Sequence, residues 1–150
     1  KLNISKLGIN IISKKFTFKN FMELTKKTKR NICSFLLDQK NFAGLGNYIK
    51  NDVLYLSKVS PFRKVNNITD LEFKRIYNNI KFVTFSNLVE WHKQYGLRLP
   101  KKIKDLSPKK LSIPYFFYVY EREYDNYNNE VTYIKNLCGR RTFYVKAIQK

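Results

Sequence analysis

Acidic side chains are scarce in this 150-residue chain: 11 Asp and Glu stand against 30 Lys and Arg, a formal net charge of +19. A field of that sign attracts polyanions and disfavours self-association, so a monomer is expected. Cysteine is equally sparse. Cys33 and Cys138 show no paired spacing, which excludes a disulfide scaffold and leaves free thiols in a reducing compartment as the default. No apolar run is long enough to span a bilayer, no single lysine-faced amphipathic helix dominates, and no signal peptide or internal repeat is recognisable. A methionine start is also missing; from Lys1 the chain reads as a fragment of a longer protein.

What is present is enough apolar material for a core, with 43% hydrophobic and 16% aromatic residues, and a composition unlike that of disordered chains. At a pI near 10, nucleic acid is the usual partner and a membrane surface the weaker one.

Residues 1–16 read as an extended linker. Thr17 is placed to cap a first helix with Phe18, Phe21 and Met22 on one face. Ile32, Phe35 and Leu36 mark a short helix ending near Asp38, followed by a turn over residues 39–46. Asn47 then caps a helix with Ile49, Val53 and Leu56 inward, stopped by Ser60-Pro61. Thr69 to Glu72 forms a capping box before a helix with Phe73, Ile76, Tyr77 and Ile80 on its face. A further helix carries Phe85, Leu88, Val89 and His92 and ends near Gly96; His92 and Trp91 read as packing residues. Residues 97–113 hold two prolines and six Lys or Arg and read as a basic linker. Beyond Pro114 the period changes: residues 115–120, 130–135 and 142–147 look like short strands joined by Asn-rich turns. The fold class expected is α+β, helices first and then a small antiparallel β hairpin.

The densest signal lies between Asn31 and Phe62, where Gly44-Leu45-Gly46-Asn47 separates two apolar-periodic helices. A turn of this type can present backbone N–H groups in a concavity. Glycine permits the left-handed dihedrals and removes Cβ where a phosphate approaches, and the following helix adds its positive dipole end. The Asn47 amide can either cap that helix or donate to a phosphate. On its own the motif is a weak signal and reads better as an ordinary structural turn with an N-cap asparagine; the charge and the flanking pattern shift that balance.

Residues 31–62 resemble the helix–two-turns–helix (H2TH) segment of the formamidopyrimidine-DNA glycosylase / endonuclease VIII family. LLDQ at 36–39, the Gly44-x-Gly46-Asn47 turn, Asp52, the VLY at 53–55 and Ser60-Pro61 carry the resemblance, which extends more weakly over nearly the whole chain. Cys33 and Asn47-Tyr48 look most like the zincless endonuclease VIII-like type 1 group. The resemblance implies three parts: residues 1–16 as a linker from a catalytic domain, residues 17–113 as the helix–two-turns–helix domain with its basic linker, and residues 114–150 as a finger. It implies phosphate contacts from Asn47, with Gly44 and Gly46 shaping the turn. Some family members carry a phosphate-contacting lysine where this chain has Cys33, and Lys40 or Lys50 is expected to substitute.

Many family members end in a four-cysteine zinc finger. Aligned with it, this chain places Tyr127, Glu130, Val145 and Ile148 at the ligand positions. Cys33, Cys138 and His92 stand singly and far apart, so no metal and no cofactor are expected. A hairpin packed through Tyr118, Tyr133, Phe143 and Val145 is expected instead. The finger's phosphate-contacting arginine matches Arg140 by register, with Arg141 one position away.

Family members are bifunctional glycosylases with AP lyase activity that flip the damaged base and attack C1′ of its sugar with an N-terminal proline amine, through a Schiff base. This chain opens Lys1-Leu2-Asn3, so no catalytic residue is expected in it. The resemblance implies the DNA-binding half of a base-excision-repair enzyme acting on oxidised bases, pyrimidines foremost. Its partner would be double-stranded DNA with a damaged base or abasic site, in an intracellular, reducing, DNA-containing compartment. The alternative is a non-catalytic nucleic-acid module, either a ribosomal-protein-like RNA binder or a degenerate glycosylase.

Overall fold

The computed structural model describes residues 7–94 and 117–150, with the side chains of 91–94 excepted. The basic linker over 97–113, the helix end near Gly96, the beginning of the strand expected at Tyr115 and the readings of Trp91 and His92 lie outside the described residues.

The order of elements is β1 (Ile9–Asn10), α1 (Phe18–Thr25), α2 (Ile32–Leu37), β2 (Phe42–Ala43), α3 (Asn47–Leu56), a 3-10 turn (Val65–Asn67), α4 (Asp70–Gln94), β3 (Thr132–Ile134) and β4 (Thr142–Tyr144). Local chemistry sets most of the helix starts. Thr17 accepts a hydrogen bond from Asn20 N, and Asn31 Oδ1 accepts one from Cys33 N at 2.8 Å. Thr69 and Glu72 close the reciprocal box, with Thr69 N donating to Glu72 Oε1 at 3.0 Å and Glu72 N to Thr69 Oγ1 at 3.2 Å.

One aromatic core gathers these helices. Phe16, Phe21, Phe35 and Phe42 are buried together, Phe35 edge-on to Phe42 at 5.3 Å and Phe16 against Tyr77 at 4.9 Å. From α4 come Phe73, Ile76, Tyr77 and Ile80, the face read from the sequence.

Four local expectations are corrected. From residue 7 onward the supposed linker builds the core: β1 pairs in parallel with β2, Ile9 opposite Phe42, and Ile11 and Phe16 are buried. The two helices expected between residues 69 and 96 are one 25-residue helix, because no Gly or Pro interrupts Asp70–Gln94. Helix α3 ends at Leu56 rather than at Ser60-Pro61: Lys58 takes a left-handed conformation, φ 60°, and Val59 N bonds back to Leu54 O. Residues 117–120 form a turn rather than a strand, since the amides of Tyr118 and Val119 donate to the Asp52 carboxylate instead of to a strand partner.

β3 and β4 pair antiparallel, as expected, and the register sets Tyr133 opposite Phe143. A second small core of Tyr55, Val119, Val131, Phe143 and Val145 lies beneath them. Tyr133 itself is 51% exposed, resting its ring on Phe143. Gln149 ties the chain's end to the helices, its Nε2 donating to Val59 O and its Oε1 accepting from Val145 N.

Candidate nucleic-acid interface

The turn before α3 is braced by Gln39, two residues beyond the end of α2. Gln39 Oε1 accepts the Gly44 amide at 3.1 Å, and Gln39 Nε2 donates to Leu45 O at 3.1 Å. Gly44 has φ +92°, a region that penalises any side chain. The Gly44 amide is therefore taken, and the outward-facing groups lie further along. Gly46, extended at φ −91°, occupies the N-cap position without a side-chain bond, so the first turn of α3 keeps its unpaired amides and its positive dipole end.

Asn47 is the first helical residue, not the cap. Its side chain is only 6% exposed, and its Nδ2 donates to the Arg141 carbonyl at 2.9 Å while Oδ1 is buried without a partner. The amide thus reaches 94 residues along the chain and holds the Gly139–Arg141 loop beside the turn.

The rest of α3 continues that seam. Asn51 Oδ1 accepts Phe143 N at 2.8 Å, and its Nδ2 donates to Asn47 O. Asp52 accepts the amides of Tyr118 and Val119 at 3.1 and 3.0 Å. Tyr55 donates to Asp125 Oδ2 at 2.8 Å. Burial together with the Asp125 charge pushes the Tyr55 phenol far up, so it stays a donor. One side of α3, with Ile49 and Val53, packs the helical core, while the other bolts down the hairpin. The sequence did carry a sign of this: Asn47, Asn51 and Tyr55 recur every four residues. An asparagine in a helix interior is unfavourable unless its amide has work there.

The expected site residues separate accordingly. Gly44 and Gly46 shape the turn, and Arg140 and Arg141 are exposed on the loop that Asn47 holds. Arg141 bridges Glu121 at 2.9 Å and lies over the Phe143 ring, which engages its guanidinium. Among the described residues no carboxylate pairs with Arg140. Lys40 is exposed on the turn between α2 and β2. Lys50 is a correction: it is 0% exposed, and its Nζ donates to Thr142 Oγ1 at 2.8 Å and to Cys138 Sγ at 3.4 Å, so it cannot reach a phosphate. The expectation that Cys33 and Cys138 lie far apart also fails in space, because the two thiols interact with each other and with the Lys50 charge, while Cys33 Sγ also donates to Pro61 O at 3.6 Å.

A cleft of about 470 Å³ on the hairpin is lined by charges of both signs, Glu121, Glu123 and Glu130 together with Arg122 and Arg141. Of the expected finger ligand positions, Val145 is buried and Ile148 packs against the second core. No helix among the described residues is long and apolar enough to cross a membrane.

Residues 7–94 match the family described as the formamidopyrimidine-DNA glycosylase H2TH domain. A formamidopyrimidine-DNA glycosylase of Listeria monocytogenes is 40% identical over 81 residues, covering 54% of this chain and 30% of that protein. One of Wolbachia pipientis wMel is 30% identical over 151 residues, 97% of this chain and 52% of its own length. The solved MutM (Fpg) protein of Thermus thermophilus superposes with a TM-score of 0.71 at 24% identity, covering 97% of this chain and 55% of that one. The Lactococcus lactis formamidopyrimidine-DNA glycosylase bound to DNA containing an abasic site gives 0.68 at 25% identity, covering 97% and 50%. The chain spans between about a third and a half of the length of these relatives.

Proposed function

This chain belongs to the formamidopyrimidine-DNA glycosylase family, and on that premise we propose that it is the DNA-binding half of a base-excision-repair glycosylase and AP lyase. The substrate of the whole enzyme is double-stranded DNA carrying an oxidised base, a pyrimidine foremost, or an abasic site. The base is flipped out of the stack and removed through a Schiff base, with the reacting amine supplied from outside these 150 residues. In this reading the helical DNA-binding domain begins at residue 7, a basic linker follows it up to residue 113, and residues 114–150 form a finger without metal, as in the zincless endonuclease VIII-like type 1 group.

The carrying observation is the bond from Asn47 Nδ2 to the Arg141 carbonyl. It keeps the uncapped start of α3 and the Arg140–Arg141 loop on one side of the molecule, where a sugar-phosphate strand can lie between them. The α3 amides, the second Asn47 Nδ2 proton, Lys40 and Arg140 supply the contacts. Sequence-independent affinity comes from the surplus of basic side chains. The test is borohydride reduction of the full-length protein with duplex DNA carrying an abasic site. A covalent protein–DNA adduct is expected, and its absence from a folded, DNA-binding protein refutes the lyase assignment.

A further inference from the structure

Lys50 poses a problem that DNA binding does not solve. Burying an ammonium group costs several kcal/mol unless an anion compensates it. This one is completely buried, and its Nζ points at the Thr142 hydroxyl and at Cys138 Sγ. Cys138 is half-buried at the edge of the hairpin loop. The groups that face it are Cys33 from α2, Lys50 from α3, the Arg140 carbonyl and the Thr142 hydroxyl. The Cys33 thiol and the Lys50 charge hold the Cys138 thiol well below its ordinary value. Cys33 is pushed the other way, by its interaction with Cys138 and by burial. The loop is pinned onto α2 and α3 on either side of the cluster, by Ser34 Oγ donating to Leu137 O at 3.1 Å and by Asn47 Nδ2 donating to Arg141 O.

We propose that Cys138 is a nucleophilic thiolate paired with buried Lys50, that it reacts with hydroperoxides, and that Cys33 is its resolving thiol. The Cys138 sulfur attacks the terminal oxygen of the hydroperoxide. An S–O bond forms, the O–O bond breaks, and the alcohol, or water from hydrogen peroxide, leaves with a proton. The Cys33 sulfur then loses its proton and attacks the Cys138 sulfenic acid; the S–S bond forms and water departs. Overall, two thiols give two electrons to one peroxide bond. Lys50 serves both steps. Once Cys138 is a neutral sulfenic acid, the same ammonium favours the Cys33 thiolate, on which it already acts. The disulfide joins α2 to the finger loop and leaves Lys50 without a counter-ion next to Arg140 and Arg141. The chemistry is independent of what the chain binds.

The test is alkylation of the full chain by iodoacetamide at pH 5.5 and pH 8.0, read at Cys138 by peptide mass spectrometry. An ordinary thiol slows about 200-fold between these conditions because its thiolate fraction collapses. Cys138 is expected to slow less than about 2-fold, with Cys33 unlabelled throughout, and Lys50→Met to restore part of the ordinary drop. Hydrogen peroxide is expected to give the Cys33–Cys138 peptide short of two hydrogens, and Cys33→Ser to accumulate a sulfenic acid trapped by dimedone. A 200-fold drop in the unmutated chain, which needs no variant to fold, overturns the proposal. So does peroxide treatment that carries Cys138 to sulfinic acid while Cys33 stays a free thiol.

Discussion

Replacing Asn51 by alanine would show whether the polar seam of α3 holds the hairpin. Asn51 is completely buried; its Oδ1 is the partner of the Phe143 amide at 2.8 Å, and its Nδ2 donates to Asn47 O at 2.9 Å. Phe143 sits mid-strand in β4 among buried neighbours, so truncation leaves its N–H without water or acceptor. An orphaned buried donor costs about 1–3 kcal/mol, and the lost Nδ2 bond about 0.5–1.5 more. The Arg141 carbonyl keeps its bond from Asn47, so nothing is added for it. The sum is about 2–4 kcal/mol, on the order of 10 °C in melting temperature for a chain of this size. Urea titration would read the total, and amide hydrogen exchange would locate it. Phe143 is expected to lose protection together with β3 and β4, while the core amides of α4 exchange as before. Unchanged Phe143 protection, or a loss below about 0.5 kcal/mol, refutes the seam.

Three further outcomes follow from other parts of the fold. Gly8→Ala is expected to destabilise the chain by more than about 1 kcal/mol, measured by denaturation, because a Cβ there meets the Asn41 backbone and forces β1 from β2. Arg63 grips Glu72 through two contacts at 3.0 Å and draws its carboxyl from 4.5 down to about 2. A lowered folded-state value stabilises above pH 4.5, and that contribution is lost as pH falls toward 2. The stability gap between the unmutated chain and Glu72→Gln should therefore shrink over that window in acid titrations, and a constant gap contradicts it. Tyr55→Phe removes a donor to the buried Asp125 carboxylate and is expected to cost about 1.5–3 kcal/mol in urea denaturation.

Legibility followed sequence distance. Helix starts at Thr17 and Thr69 were readable because a cap and its amide lie within three residues of each other. The apolar face of α4 is readable from its period, but its continuity is not, since the two apolar sets, Phe73 to Ile80 and Phe85 to Val89, read as separate helices. The role of α3 was half legible. Its glycine turn stood out, but Asn47 looked like a cap and Lys50 like a surface cation, because their partners lie 94 and 92 residues away. The pairing of β1 with β2 and the meeting of Cys33 with Cys138 are long-range facts of the same sort, with no local signature.

The most direct measurement is fluorescence anisotropy of a labelled duplex carrying an abasic-site analogue, titrated with the unmutated chain, Asn47→Ala and Arg140→Ala at two salt concentrations. Each variant is expected to weaken binding by about 1–3 kcal/mol, and Arg140→Ala to lower the salt slope by about one. If both folded variants bind as tightly as the unmutated chain, the strand does not run between the start of α3 and the finger loop.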